Sequence, residues 1–170
     1  MWKKRPELKV LQDIPQMSGG APLPVTLQSE GICCLAYLCN TSAPDWDGRS
    51  VRVVSHDTDD EPVAIVTFKG VAATYFGSPN DEALRGHPLH DRGLKHYSAF
   101  DVANSEWIAS LERMNRVHPY HKAERFRELR HYVFTFHDST FECVAKGYAV
   151  ELITGSITGA LPRMRELAKL

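Results

Sequence analysis

The chain has 170 residues, of which 43% are hydrophobic and 24% charged, and its formal net charge at pH 7 is −1. This composition is typical of one soluble globular domain, and the near-neutral charge argues against a nucleic-acid-binding protein that relies on a broad basic surface. No apolar run approaches the roughly 20 residues of a membrane span, and the basic start lacks the apolar stretch of a signal peptide. Four cysteines without a CxxC pair indicate reduced thiols, so we expect a cytoplasmic protein.

The first half of the chain predicts an N-terminal arm over residues 1–22, followed by a single domain over residues 23–170. The arm contains three prolines and a Gly-Gly pair. From residue 23 to 76, β-branched and aromatic runs alternate with turn residues, as in a β-meander. The nearly all-apolar run at 32–39 predicts a central strand covered on both faces. The other predicted features of this half are a turn at 45–48 and strands at 24–30, 50–56, 62–68 and 71–76, of which the last two are expected to pair around a turn at Lys69-Gly70.

Residues 77–97 differ in character, because they are rich in Gly, Pro, Asn, Asp and His and show little periodicity. An irregular segment of this length inside a compact domain is often functional. We call residues 77–97 the irregular segment.

Three helices follow in the predicted order. After a short strand at 98–103, Asn104 or Ser105 can cap a helix that ends before Pro119. The apolar residues of this helix recur at helical spacing and predict a stripe that packs into the core; they are Trp107, Leu111 and Met114. A second, short helix is predicted at 122–129, and a terminal helix at 161–170 has Pro162 in its first turn.

The stretch 130–145 predicts a β-hairpin with a two-residue turn at Asp138-Ser139, although Asp-Ser is a weak signal and a longer loop is compatible. In this register His137 lies opposite Thr140, and residue 135 lies opposite Glu142. Side chains alternate between the two faces of the hairpin. The core face contains Tyr132, Phe134, Phe136, Phe141, Cys143 and Ala145. The polar face contains His131, Val133, Thr135, His137, Thr140, Glu142 and Lys146. Strands followed by helices and a hairpin indicate an α+β fold, with a largely antiparallel, strongly curved or barrel-like sheet and two or three helices.

The candidate catalytic residues are His137, Glu142 and Asp138. As diagonal neighbours on the polar face, His137 and Glu142 resemble a general base with an orienting carboxylate. Asp138 can orient His137 instead, or it can serve only as a turn residue. Cys143 falls on the aromatic face, where a thiol is usually an inert small hydrophobe. The candidate ligand-binding residues are Asn80, Asp81, Thr135 and Thr140.

Two HPxH turns raise the prospect of a metal site formed by His87, His90, His118 and His121. Imidazoles three residues apart around a proline can converge on one centre, and neutral imidazole suits divalent transition metals. Asp91, Asp138 or Glu142 can add an oxygen ligand. The alternative is that these histidines make loop hydrogen bonds or face solvent. The cofactor prediction is therefore either none or a single divalent transition metal.

These patterns favour a small cytoplasmic enzyme that uses a His/carboxylate site, with or without a metal, for hydrolytic or proton-transfer chemistry on a polar small molecule. The hairpin's polar face would form the floor of the site, and the irregular segment and HPxH turns its walls. The alternative is a non-catalytic ligand- or protein-binding module with a His-rich, pH-sensitive surface. The glycines show no nucleotide-binding spacing. RNA binding is a minor option, and a homo-oligomer stays open.

Overall fold

The computed structural model describes residues 4–40 and 53–170, and within these ranges it contains nine strands and three helices. The strands are β1 (Glu7–Val10), β2 (Val25–Ser29), β3 (Ile32–Leu38), β4 (Glu61–Lys69), β5 (Ala73–Gly77), β6 (Ala99–Ala103), β7 (Arg130–Thr135), β8 (Thr140–Ala145) and β9 (Gly147–Gly155). The helices are α1 (Glu106–Asn115), α2 (Glu124–Arg127) and α3 (Ile157–Ala168). None of these helices is both long and apolar enough to cross a membrane.

The strands form a five-stranded sheet in the order β1-β6-β7-β8-β5 and a four-stranded sheet in the order β2-β3-β4-β9. All of the strand pairs are antiparallel. The predicted α+β class with antiparallel sheets is therefore confirmed. The strands are divided between two sheets, however, and over the described residues neither sheet closes into a barrel.

The division arises at two crossovers that lie side by side. The predicted pairing of the strands on either side of Lys69-Gly70 is wrong, because β4 belongs to the four-stranded sheet while β5 pairs with β8 of the five-stranded sheet. The second crossover joins β8 to β9, and there the backbone N–H of Lys146 donates to the Lys69 carbonyl at 2.9 Å. Gly70 has a φ of +64°, and a Cβ at this position would lie 2.7 Å from Cγ of Lys146. Glycine is therefore required where the chain changes sheets.

The core lies between the two sheets and is rich in aromatic rings. The ring centroid of Phe68 on β4 lies 5.6 to 5.8 Å from the centroids of Tyr132, Phe134 and Phe141 on the opposite sheet. All six residues predicted for the core face of the hairpin belong to this cluster. The prediction for β3 is also confirmed, because alternate residues of β3 pack into the core and against α3 on the other face.

The helices show where local patterns mislead. The terminal helix begins at Ile157, earlier than predicted, with the Ser156 hydroxyl as its cap, so Pro162 lies inside the helix and not in its first turn. In α1 the predicted cap at Ser105 is confirmed, but the stripe does not enter the core: no α1 residue is buried, and Met114 is 61% exposed. The helix lies at the outside of the five-stranded sheet, where only one side of it is covered.

The predicted features at the N-terminal end have mixed outcomes. Strand β1 of the predicted arm pairs with β6, and Met17 is buried and forms an isolated bridge with Cys39. The turn at 45–48 and the first three residues of the strand at 50–56 lie outside the described residues, while residues 53–56 are not in a strand.

The irregular segment covers the outer face of the five-stranded sheet. Its residues Leu84, Leu89 and Leu94 are buried against Phe100, Val102 and Val133 on that face. Leu84 begins a short 3-10 turn, Leu84–Gly86, while Leu89 and Leu94 lie just before and just after a second one, His90–Arg92. The segment therefore places its own polar groups over the polar face of the hairpin.

Candidate ligand-binding cavity

The hairpin register differs from the predicted one by two residues. Thr135 pairs with Thr140, and Val133 pairs with Glu142, so residues 136–139 form the loop. The N–H of Phe136 donates to the Ser139 carbonyl at 2.8 Å to close this loop. Because side chains alternate with period two, a shift of two residues leaves every side chain on its predicted face. It does change which residues are diagonal neighbours.

The diagonal neighbour of Glu142 is consequently His131 and not His137. Nε2 of His131 lies 2.8 Å from Oε2 of Glu142, and Nε2 of His87 lies 3.4 Å from Oε1. His131 belongs to β7, whereas His87 comes from the irregular segment that lies over the sheet. The side chains of His87 and His131 are 4% and 6% exposed, and that of Glu142 is 17% exposed. One carboxylate is thus held between two buried imidazoles.

The surrounding hydrogen bonds assign the protons of both imidazoles. The backbone N–H of Leu89 donates to Nδ1 of His87 at 3.1 Å, so the proton of His87 lies on Nε2 and faces Glu142. Nδ1 of His131 lies 2.9 Å from the hydroxyl of Ser105, which also accepts the Ile108 N–H as the cap of α1. Because the Glu142 carboxylate can only accept, Nε2 of His131 carries a proton, and in the neutral tautomer Nδ1 accepts from the Ser105 hydroxyl. Both rings therefore present an Nε2–H to Glu142.

Glu142 is the anionic member of this network. Burial by itself would raise the pKa of Glu142, but the contacts with His131 and His87 outweigh it and lower the pKa to about 2. The side chain is therefore a carboxylate at neutral pH. Its two oxygens offer about four acceptor positions, of which the imidazoles occupy two.

A cavity of about 570 Å³ opens over this network. His87, His131 and Glu142 form part of its lining, and Trp107 stands edge to face with the His131 ring at a centroid distance of 5.2 Å. The remaining lining is mostly apolar and includes Tyr75, Pro88, Leu89 and Val102, while the exposed side chains of Arg92 and Glu106 supply charge. A second cavity of about 470 Å³ shares Tyr75, His87, Pro88 and Glu142 with the first.

The structure places the predicted catalytic pair His137 and Asp138 at the hairpin loop. Nδ1 of His137 lies 3.0 Å from Oδ1 of Asp138, and both side chains are exposed. The hydrogen bond with Asp138 raises the pKa of His137 above its ordinary value. Of the three predicted catalytic residues, only Glu142 lines the cavity.

The predicted ligand-binding residues hold the irregular segment in place. Thr135 donates to the Lys95 carbonyl at 2.7 Å, and Thr140 donates to the Pro79 carbonyl at 2.9 Å. Asn80 accepts the Ala83 N–H, and Asp81 accepts the Tyr97 hydroxyl through Oδ2. The other oxygen of Asp81 is buried without a hydrogen-bond partner in the described part of the chain. None of these four side chains lines the cavity over Glu142.

The two HPxH turns share one local arrangement. In each turn, Nδ1 of the first histidine accepts the N–H two residues later, at 3.1 Å in both cases. The carbonyl of the first histidine accepts the N–H of the second, from His90 to His87 and from His121 to His118, at 2.9 Å. The second histidines contact carboxylates, His90 with Asp91 at 3.3 Å and His121 with Glu112 at 2.9 Å. Across residues 4–40 and 53–170, no group of three or more His, Cys, Asp or Glu side chains is arranged to hold a metal ion.

Both Glu142 and His87 are predicted site residues, the first as a catalytic group and the second as a metal ligand, but the sequence does not predict that they meet. His131 lies on its predicted face, whereas the predicted register makes His137 the diagonal neighbour of Glu142. Ser105 was recognised as a helix cap and Trp107 as an apolar residue of α1, with no signal in the sequence that either lies beside His131. No family model, curated protein or solved structure shows a significant match to the chain.

Proposed function

We propose that the protein binds a small organic molecule in the cavity over Glu142. The observation that carries this proposal is an ionised carboxylate, positioned by two histidines, on the floor of a largely apolar cavity. Small-molecule sites are concave and mostly apolar, with a few converging polar groups, and have volumes of about 300–1,000 Å³. The volume of about 570 Å³ falls within this range.

A purely structural role for Glu142 explains its contacts with the two imidazoles but not the open space beside them. Buried carboxylates in structural networks are normally enclosed by their partners, because a desolvated charge is stabilised by groups that contact it and not by unfilled space. Here the carboxylate retains about two unused acceptor positions and borders two cavities. Binding of a ligand would use both features.

Hydrolytic or proton-transfer catalysis at this site is the second candidate function. The chain Ser105–His131–Glu142 contains the residue types of an acid-base relay and supports this candidate. A nucleophilic serine is disfavoured, because the Ser105 hydroxyl caps α1 and does not line the cavity. All four ring nitrogens of His87 and His131 are engaged, so proton transfer requires a ligand to displace one of these contacts. A metal would have to replace the Nε2 protons. Binding therefore needs fewer rearrangements than catalysis.

The proposal is tested by NMR titration of ¹⁵N-labelled protein with small aromatic probes that fit the cavity. Benzylamine, benzyl alcohol and phenylacetate have similar apolar bodies and differ in charge. We expect at least one of them to shift the indole N–H signal of Trp107 and the amide signals of His87 and Glu142, in a saturable manner. His137→Ala, outside the cavity, should leave the titration unchanged. If none of the three probes shifts these signals at millimolar concentration, the binding proposal fails.

Catalysis is tested separately with p-nitrophenyl acetate. If the relay is catalytic, His131→Ala and Glu142→Gln should each abolish release of p-nitrophenolate above background, while His137→Ala should retain it. An equal loss of the hydrolysis rate in all three variants would contradict a specific role for His131. If all three variants hydrolyse the ester as fast as the wild type does, the catalytic candidate fails and the binding proposal stays in place.

A further inference from the structure

We infer that the cavity takes an organic ammonium ion, in which a protonated amine binds Glu142 and an apolar body fills the space beside it. This inference rests on the proposed binding function, since it names the class of ligand for the same cavity. The argument depends on which hydrogen-bonding groups the floor presents and on the charge that remains there.

The floor presents acceptors and no free donor. The Nε2–H groups of His87 and His131 both point at Glu142, and their Nδ1 atoms accept from Leu89 and Ser105. The Tyr75 hydroxyl donates its proton to the Ser78 carbonyl at 2.7 Å. A ligand head that reaches the floor therefore has to donate to the unused acceptor positions of Glu142. An ammonium group supplies three N–H donors, whereas a carboxylate head would supply none.

The charge of the floor also favours a cation. His87 cannot carry a second proton without placing two N–H donors against each other, because the Leu89 N–H already points at its Nδ1. In its neutral tautomer His131 accepts from the Ser105 hydroxyl, and in that arrangement the charge of Glu142 is not compensated within the network. Every donor makes a charge-assisted hydrogen bond with this carboxylate, and an ammonium adds the attraction between opposite charges.

The rest of the cavity is compatible with this class. Arg92 and Glu106 line it with opposite charges, and neither forms an ion pair with a described residue. Because these two charges offset each other, the net charge of the lining is that of Glu142. Trp107 and Tyr75 add aromatic rings, which attract organic cations. The indole N–H of Trp107 and the guanidinium of Arg92 are remaining donors, so a neutral hydroxyl head and an anionic head are the competitors.

Three probes of similar size, which differ in their polar group, test in the wild-type protein which polar group the cavity prefers. Benzylamine, benzyl alcohol and phenylacetate are titrated at neutral pH, and dissociation constants are obtained from the Trp107 indole shift. We expect benzylamine to bind at least about tenfold more tightly than benzyl alcohol, because both donate to the carboxylate but only the ammonium adds an ion-pair attraction. Phenylacetate should bind most weakly, since its carboxylate faces Glu142.

Two substitutions then test whether Glu142 causes the preference for benzylamine. Glu142→Gln keeps the shape of the side chain and removes its charge, so the benzylamine preference should disappear. Asp101→Asn is the matched control, because Asp101 is similarly buried, at 16% exposure. Asp101 lies beside Tyr132, on the face of the five-stranded sheet that is opposite to the face of Glu142. The Asp101→Asn variant should retain the preference. The wild-type comparison needs no variant, so it remains decisive if Glu142→Gln does not fold.

The outcomes separate the two proposals. Benzyl alcohol or phenylacetate binding as tightly as benzylamine would overturn the ammonium inference while supporting the binding function. A benzylamine preference that persists in folded Glu142→Gln would also overturn it. Binding of none of the three probes would overturn the binding function and the inference together.

Discussion

Replacement of Glu142 by Gln provides a direct test of the buried network, through the pH dependence of stability. In the folded protein the pKa of Glu142 is about 2, against an ordinary value of 4.5. Because the folded value lies below the unfolded one, the unfolded chain takes up the proton first as the pH falls. The ionised carboxylate therefore stabilises the fold above pH 4.5, and this contribution is lost as the pH falls towards 2. The pKa difference corresponds to about 3 kcal/mol at neutral pH.

The assay is urea unfolding of wild type and Glu142→Gln at several pH values between about 5.5 and 3. The difference in unfolding free energy between the two proteins should shrink by about 2 kcal/mol over this range, because only in the wild type does the unfolded chain take up a proton at position 142. Thr140→Val is the control. It removes a buried hydrogen bond on the same strand without changing a titrating group, so its stability difference should stay constant. A constant difference for Glu142→Gln as well would refute the assignment of a strongly acidic carboxylate to this position.

Three further substitutions test the elements that support the cavity. Ser105→Ala should lower the unfolding free energy by about 2–3 kcal/mol, because it removes a helix cap and leaves Nδ1 of buried His131 without a donor. Ser156→Ala removes only a cap and should cost about 1 kcal/mol in the same urea titration, so equal losses would contradict the Ser105–His131 bond. Phe68→Ala should cost about 3–5 kcal/mol, since this fully buried ring joins the two sheets; calorimetry showing less than about 1 kcal/mol would contradict its central position. Gly70→Ala should cost about 1–2 kcal/mol in chemical unfolding because of its positive φ, and an unchanged midpoint would show that the crossover relaxes.

In the hairpin, local periodicity predicts the face of each side chain but not the strand register. Alternation placed Phe136 in the core and His131, Thr140 and Glu142 on the other face, and the structure confirms each placement. The register was not accessible in the same way, because Asp138-Ser139 fits both a two-residue turn and part of a longer loop. A shift of two residues leaves the faces intact, so hydrophobic patterning cannot reveal it.

Assignment of strands to sheets depended on long-range pairing. The turn at Lys69-Gly70 has the local chemistry of a hairpin, yet β4 pairs with β9 and β5 pairs with β8. The partners Ile65 and Glu151 are 86 residues apart along the chain, and Tyr75 and Glu142 are 67 apart. Similarly, the spacing of Trp107 and Met114 gave the period of α1 but not the extent of its contact with the sheet. At that end of the helix His121 contacts Glu112 and Asn115, and Met114 is left 61% exposed.

In the HPxH motif, the local turn determines which ring nitrogen carries the proton, while the tertiary fold determines what that proton faces. In His87 and His118 alike, the turn fixes Nδ1 as an acceptor of a backbone N–H and leaves the proton on Nε2. The same atoms that make the motif resemble a ligand pair thus orient the ring for hydrogen-bond donation. Only at His87 does the fold place an acceptor, Glu142, in front of that proton. The leucines of the irregular segment determine this outcome, since their burial on the sheet brings His87 over the hairpin.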